Sequence, residues 1–172
     1  MAFKRWMFSA PERQLAEMLA EECNTDSFIA LIAASRGYTD PADLDEFLSE
    51  ETIISDPFEL VDMKKAVDII WNSIYSEELI AIYGDYDVDG ITATALLYSY
   101  LKNKGAKVIY HIPSREKDGY GMNIPSIDML HDRNIDLIIT VDNGIASVRE
   151  IEYAKSLGMK VIVTDHHLPQ EE

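Results

Sequence analysis

The sequence predicts an α/β fold: an open parallel sheet flanked by helices in the Rossmann-like manner, preceded by an N-terminal helical region. Three observations carry this. After residue 78, four short apolar runs rich in β-branched residues alternate with segments of helical period, the order that makes strands parallel and lays helices over their faces. Before residue 78 only the helical period appears. Gly105 and Gly158 stand just after two of the helical segments, where a C-cap needs a left-handed backbone. The expected division is therefore a helical region, 1–77, and an α/β region, 78–172.

The helical region reads in four segments. Pro11 to Glu22 places Leu15, Met18 and Leu19 on one stripe. Asp26 precedes Phe28, Ile29, Leu31 and Ile32, and Gly37 closes that segment. Asp40-Pro41 is a start signal, because Asp can accept from free N–H groups and Pro fits the first turn; Leu44, Phe47 and Leu48 follow. A fourth helix is expected from Asp62 to Tyr75, with Met63, Ala66, Val67, Ile70 and Ile74 on one face. The strands are expected at 79–83, 107–112, 136–141 and 160–164, and the helices between them at 91–104, 124–133 and 147–157.

Composition narrows the class. A hydrophobic content of 47% with only 8 Gly and 6 Pro is that of a folded protein. No apolar run reaches the roughly 18 residues of a membrane span, so no membrane association is expected. Residues 1–8 lack the apolar stretch of a secretion signal, and the single Cys23 has no partner for an internal disulfide; a cytoplasmic location is the expectation. The net charge of −16 is a poor electrostatic match to a phosphate backbone, which argues against this chain holding nucleic acid by charge alone. Some of the excess carboxylate is explained if it surrounds a cation.

The arrangement of the acids supports a cation site. Ligands of open α/β sheets bind beyond the carboxyl ends of the strands. Three of the four predicted strands end in acidic clusters: Asp85, Asp87 and Asp89; Asp142; and Asp165 with His166 and His167. Together they bring like charges close enough to repel, and a bound cation relieves that repulsion. Asp85-Tyr86-Asp87-Val88-Asp89-Gly90 also starts like an EF-hand, but the twelfth loop position, which needs a bidentate Glu, is Leu96. A haloacid-dehalogenase-like phosphatase would use a strand followed by Asp-x-Asp, yet it leaves Asp165-His166-His167 unexplained. Carboxylate and imidazole together suit Mn²⁺, and also Mg²⁺, Zn²⁺ or Fe²⁺. Asp165 can take a ring N–H from a ligating His, or cap the turn that follows it. Asp142 is placed to bridge two ions, as in two-metal phosphoryl-transfer sites. Arg115 and Tyr120, in a loop with two glycines, could hold a phosphate and stack a base.

Taken as a set, Gly84-Asp85-Tyr86-Asp87-Val88-Asp89-Gly90, Pro113-x-Arg115 with Gly119-Tyr120-Gly121, Val141-Asp142-Asn143-Gly144-Ile145 and Thr164-Asp165-His166-His167 resemble the successive motifs of the DHH phosphoesterase superfamily. The resemblance is greatest to its single-stranded-DNA-specific exonucleases. Ser35-Arg36-Gly37-Tyr38, Phe47-Leu48, Asp56-Pro57-Phe58 and Met63-Lys64-Lys65-Ala66 extend it over nearly the whole chain. It implies Asp87, Asp89, Asp142, His166 and His167 as metal ligands. Asp85, Asp142 and His167 would take catalytic parts, with Asp85 and Asp165 in support. It further implies Mn²⁺ or Mg²⁺ as cofactor, single-stranded DNA as substrate of 5′ to 3′ hydrolysis in DNA repair and recombination, and single-strand-binding protein as a partner. Other phosphodiesterases of the superfamily, acting on short oligonucleotides or cyclic dinucleotides, are the alternative reading, and a non-catalytic binding or scaffolding module is the second. Tyr83 departs from the His that many members carry four residues before the first ligating Asp. The sequence ends five residues after His167, before a further ligating Asp, a glycine-rich second domain and an OB-fold that the resemblance implies. The chain is thus expected to be the N-terminal part of a larger nuclease and inactive alone.

Overall fold

The computed structural model describes residues 13–49, 55–114 and 121–169. The chain forms two compact units that divide between Asp56 and Pro57. The change of sequence pattern near residue 78 and this division fall at different places, because the helix before the first strand packs on the sheet.

In the first unit, α1 (Arg13–Glu22), α2 (Ser27–Ser35) and α3 (Pro41–Leu48) enclose Ala16, Leu19, Ala30, Ala33, Ala34 and Leu44. The Asp26 and Asp40 carboxylates accept from Phe28 N at 2.8 Å and Ala42 N at 2.9 Å, so both helices start on satisfied caps. α2 is apolar on all sides. Its alanines turn inward and Phe28, Ile29, Leu31 and Ile32 stay exposed, a choice of face that periodicity could not make.

In the second unit, a short 3₁₀ turn at Pro57–Glu59 leads into α4 (Met63–Tyr75). The rest alternates: β1 (Leu79–Tyr83), α5 (Val88–Asn103), β2 (Lys107–His111), α6 (Ile124–Asp132), β3 (Leu137–Val141), α7 (Val148–Ser156) and β4 (Lys160–Thr164). All strand pairs are parallel, in the order β2-β1-β3-β4. Every residue of β3 and all but the first of β1 are buried, while β2 and β4 form half-exposed edges. One sheet face packs Ala81, Tyr83 and Ile138 against Ile127, Leu130 and Ala154 of α6 and α7. The other packs Ile80, Ile82, Leu137, Ile139 and Val141 against Leu101 of α5, with Ala66, Ile69, Ile70 and Ile74 of α4 outside. Each large side chain so buried stabilises the fold by about 1.5–3 kcal/mol.

α5 starts three residues before the expected Ile91. Asp87 caps it, its Oδ1 accepting from Asp89 N and Gly90 N at 3.1 Å each. The three alternate aspartates are therefore not all on a loop: Asp89 lies in the first helical turn. Gly90 lets that turn reach the strand end, since a Cβ there would lie 2.5 Å from the Asp85 carbonyl oxygen.

Candidate metal centre

The chain leaves β1 toward β2 on one side and leaves β3 toward β4 on the other. The neighbouring carboxyl ends of β1 and β3 are thus the topological switch point, where the outgoing loops part and open a crevice. Asp85 follows β1 by two residues and Asp142 follows β3 directly. Asp142 adopts the left-handed backbone, φ 62°, a conformation that Asp tolerates better than most residues. The turn continues through Gly144, φ 108°, where a Cβ would meet Thr140 Oγ1 at 2.8 Å.

Two groups of potential ligands result. Asp85, Asp87 and Asp142 each offer an oxygen such that all lie within 4.8 Å of one another, and Asp142, His166 and His167 do the same. Asp142 belongs to both. Asp89 lies outside both groups and lines an adjoining cleft of about 410 Å³ with Asp142, Asp165 and His166.

The electrostatics fit a cation. Asp85 is 2% exposed, and its Oδ1 is sealed from solvent without a hydrogen-bond partner. A buried carboxyl oxygen left so is costly unless a partner reaches it. Burial pushes the Asp142 carboxyl above the usual carboxylate range, and the neighbouring Asp87 pushes it further, against the pull of His166. Asp87 is held below its ordinary value, chiefly by the Gly90 N–H. Hard carboxylate oxygens with two imidazoles are a donor set that Mn²⁺ accepts well, and that Mg²⁺ shares through its oxygens.

The imidazoles are tethered. His166 Nε2 lies 2.9 Å from Asp142 Oδ1. Asp165 accepts from Ile145 N at 2.9 Å and His167 N at 3.1 Å, and its Oδ1 is 2.7 Å from His167 Nδ1. Burial opposes the charge on Asp165, but these bonds outweigh it and hold its carboxyl below the ordinary value. The Asp165 bond in turn raises His167. With the Asp165 carboxylate fixing the ring at Nδ1, a metal would take the opposite nitrogen, Nε2. Asp165 thus caps the turn and orients His167 at once.

Behind the carboxylates lies a polar frame that sequence reasoning missed. The Tyr83 hydroxyl, on a fully buried side chain, donates to Gly121 O at 3.2 Å and accepts from Asn123 Nδ2 at 3.1 Å. Asn123 Oδ1 caps α6 through Ser126 N at 2.8 Å, and His111 Nε2 lies 3.0 Å from Ser126 Oγ. Asn143 Nδ2 donates to Tyr83 O and Val141 O, tying β1 to β3 just beneath the site. Asn123 before Ile124-Pro125 was readable as a helix start; the cross-strand partners were not. Arg115 and Tyr120 lie outside the described residues.

Fold and site together define a Rossmann-like α/β domain with a carboxylate–imidazole cluster for divalent cations at its switch point. Residues 79–172 match the DHH family, N-terminal domain, and the chain belongs to that family. It is 40% identical to the single-stranded-DNA-specific exonuclease RecJ of Bacillus subtilis (strain 168), over 98% of this chain and 22% of that protein. It is 46% identical to Escherichia coli (strain K12) RecJ over 64% of this chain and 19% of that one. Among solved structures it is similar to an exonuclease RecJ bound to manganese, with a TM-score of 0.64, 35% identity and coverage of 70% of this chain and 31% of the other. The Thermus thermophilus RecJ in complex with Mn²⁺ matches 98% of this chain and 23% of its own, at 28% identity and a TM-score of 0.62. The chain therefore spans about a fifth to a third of the length of these relatives.

Proposed function

We propose that this chain supplies the metal-holding part of a single-stranded-DNA exonuclease of the RecJ type, releasing nucleotides 5′ to 3′. The observation that carries the reading is Asp142, shared by two ligand groups in a chain 40% identical to such an exonuclease. Asp85, Asp87 and Asp142 would hold one Mn²⁺ or Mg²⁺, and Asp142, His166 and His167 a second, with Asp89 closing the cleft from α5. Bound there, the ions would neutralise the scissile phosphate and acidify an attacking water. The chain's own residues fix the frame. Asp165 keeps the His167 ring in one orientation, Asn143 locks β1 to β3, and the Asp85 carboxylate stays shielded from bulk water. Arg115 and Tyr120 are proposed to contact the phosphate and a base, and the reaction to serve DNA repair and recombination in the cytoplasm, with single-strand-binding protein as partner. Support for these comes from the family resemblance.

The reading is tested on the longest natural protein that contains this chain, incubated with 5′-labelled single-stranded DNA and Mn²⁺. Release of labelled mononucleotide, abolished by Asp142→Ala, is expected. Intact single strands with cleavage of cyclic dinucleotides would replace it with the other phosphodiesterase activity of the superfamily.

A further inference from the structure

Two cavities flank the metal centre, one on each face of the sheet. The cleft lined by Asp89, Asp142 and His166 reaches Ala93 of α5. A second, of about 590 Å³, lies on the face of α6 and α7, between the chain ahead of α6, the turn from β3 into α7 and the chain after β4. Asp165 lines both. His167 belongs to a ligand group and also walls the second cavity, so that cavity begins where the metal centre ends.

The lining of the second cavity points to its occupant. Met122, a core residue 5% exposed, closes it beneath, and Ile145, Ala146 and Leu168 add apolar wall that solvent still reaches. Its polar groups include Ser147, which makes no side-chain capping bond, and the half-buried Glu150 in the first turn of α7. Among the described residues no Lys or Arg lines it, and Glu150 with Asp165 makes it acidic. A phosphate is repelled there, whereas an uncharged ring with N–H groups is not. The walls are held from within: the Tyr83 hydroxyl donates to Gly121 O at 3.2 Å, and Asp165 accepts from Ile145 N at 2.9 Å. Apolar walls, a few directed polar groups and a pre-formed space within roughly 300–1,000 Å³ are the marks of a small-ligand pocket.

From this we infer that the cavity seats the base of the nucleotide being released, Met122 and Ile145 making apolar contact and Glu150 accepting from N–H groups of its pairing edge. This rests on the nuclease reading above. A phosphodiester on the ions sends its two nucleosides in opposite directions. A cavity closed beneath by the core suits the end of a strand, not its continuation. Every base has an N–H on the pairing edge, so none is refused; guanine presents two side by side and suits a carboxylate best.

The test compares deoxyguanosine 5′-monophosphate with deoxyribose 5-phosphate, which carries no base, by calorimetric titration of this chain in Mg²⁺. The wild type should bind the nucleotide about tenfold or more tighter, as one good polar contact and apolar burial supply. Ala146→Trp, which fills the cavity from an exposed position, should remove that advantage, and Glu150→Ala should cut it about fivefold. Neither should alter the affinity for deoxyribose 5-phosphate or the number of Mn²⁺ ions bound. Glu150 also complements the N-terminus of α7. If that is its whole role, Glu150→Ala lowers Tm and leaves the preference for the nucleotide intact, which overturns its part as acceptor. The pocket is overturned if the wild type binds both ligands alike or does not bind the nucleotide. It is equally overturned if Ala146→Trp keeps the preference or weakens both ligands to the same extent. Hydrolysis of single-stranded DNA by the longer protein separates the two readings. If it occurs while this chain shows no preference for the base, the pocket alone fails. If this chain prefers the nucleotide but the longer protein leaves single strands intact, the nuclease reading fails, and with it the assignment to a released nucleotide.

Discussion

Asp85 and Asp142 follow the central strands β1 and β3 and are 2% and 9% exposed, whereas His166 and His167 follow the edge strand β4, and the His166 side chain is 71% exposed. The two halves of one site thus stand in different media. The carboxylates are fixed by a sheet packed on both faces and by the Asn143 bonds to Tyr83 O and Val141 O, before any ion arrives. The imidazoles depend on tethers, His166 on Asp142 and His167 on Asp165. Pre-set carboxylates in a poorly solvated place would give a cation the greater part of its binding energy, because there they repel one another most when it is absent. Exposed imidazoles lose less by being empty, and they adjust more readily.

The largest effect should come from removing the residue that belongs to both halves. Calorimetric titration of this chain with Mn²⁺ is expected to show two ions for the wild type, one for His166→Ala and none for Asp142→Ala. At a free ion concentration of 100 times Kd, binding should also stabilise the wild type by about 2.7 kcal/mol per ion, read as a rise in Tm that Asp142→Ala abolishes. Two ions bound to Asp142→Ala would mean that Asp142 does not bridge, and equal losses from the two variants would erase the contrast between the halves.

How far this contrast was legible in the sequence follows from the same division. The strands, their parallel order and the acids at their ends could be read because burial imposes apolar runs and because ligands at a sheet edge fall next to those runs. Asp85, Asp142 and the His pair were therefore visible as one edge. That Asp87 caps α5 and carries Asp89 into the first turn was less so, since the same residues also suit a loop. The strand order was not legible, and with it the reason that Asp85 and Asp142 meet across neighbouring strands. Nor was the frame of Tyr83, Asn123 and Asn143, because a hydrogen bond between residues dozens of positions apart leaves no local period.

That frame offers a smaller perturbation confined to the buried half. Tyr83→Phe keeps the packing but strands Asn123 Nδ2 and Gly121 O. It should lower stability by about 1–2 kcal/mol, measured by urea unfolding. The stoichiometry of Mn²⁺ should stay at two, because no ligand is removed. A drop in stoichiometry would show that the frame sets the ligands themselves, in which case the carboxylates are less rigid than the contrast requires.

The smallest effect lies at the far end of the same strands and separates the metal edge from the rest of the sheet. Lys160, at the start of β4, reaches Glu78 just before β1, with Nζ 2.7 Å from both carboxylate oxygens. That bond holds the Glu78 carboxyl below its ordinary value of 4.5. The folded state therefore favours the ionised form. The contribution is complete above the ordinary value and is lost as pH falls through the depressed one. Lys160 remains partly exposed, so water screens the pair and its worth is about 0.5 kcal/mol. Lys160→Met should cost that much in urea unfolding at pH 7, and the gap from wild type should close in acid while Mn²⁺ binding at pH 7 is unchanged. If Lys160→Met weakened metal binding, the edge strand would be transmitting strain along its length to His166 and His167, and the exposed half of the site would be less independent of the sheet than its exposure suggests.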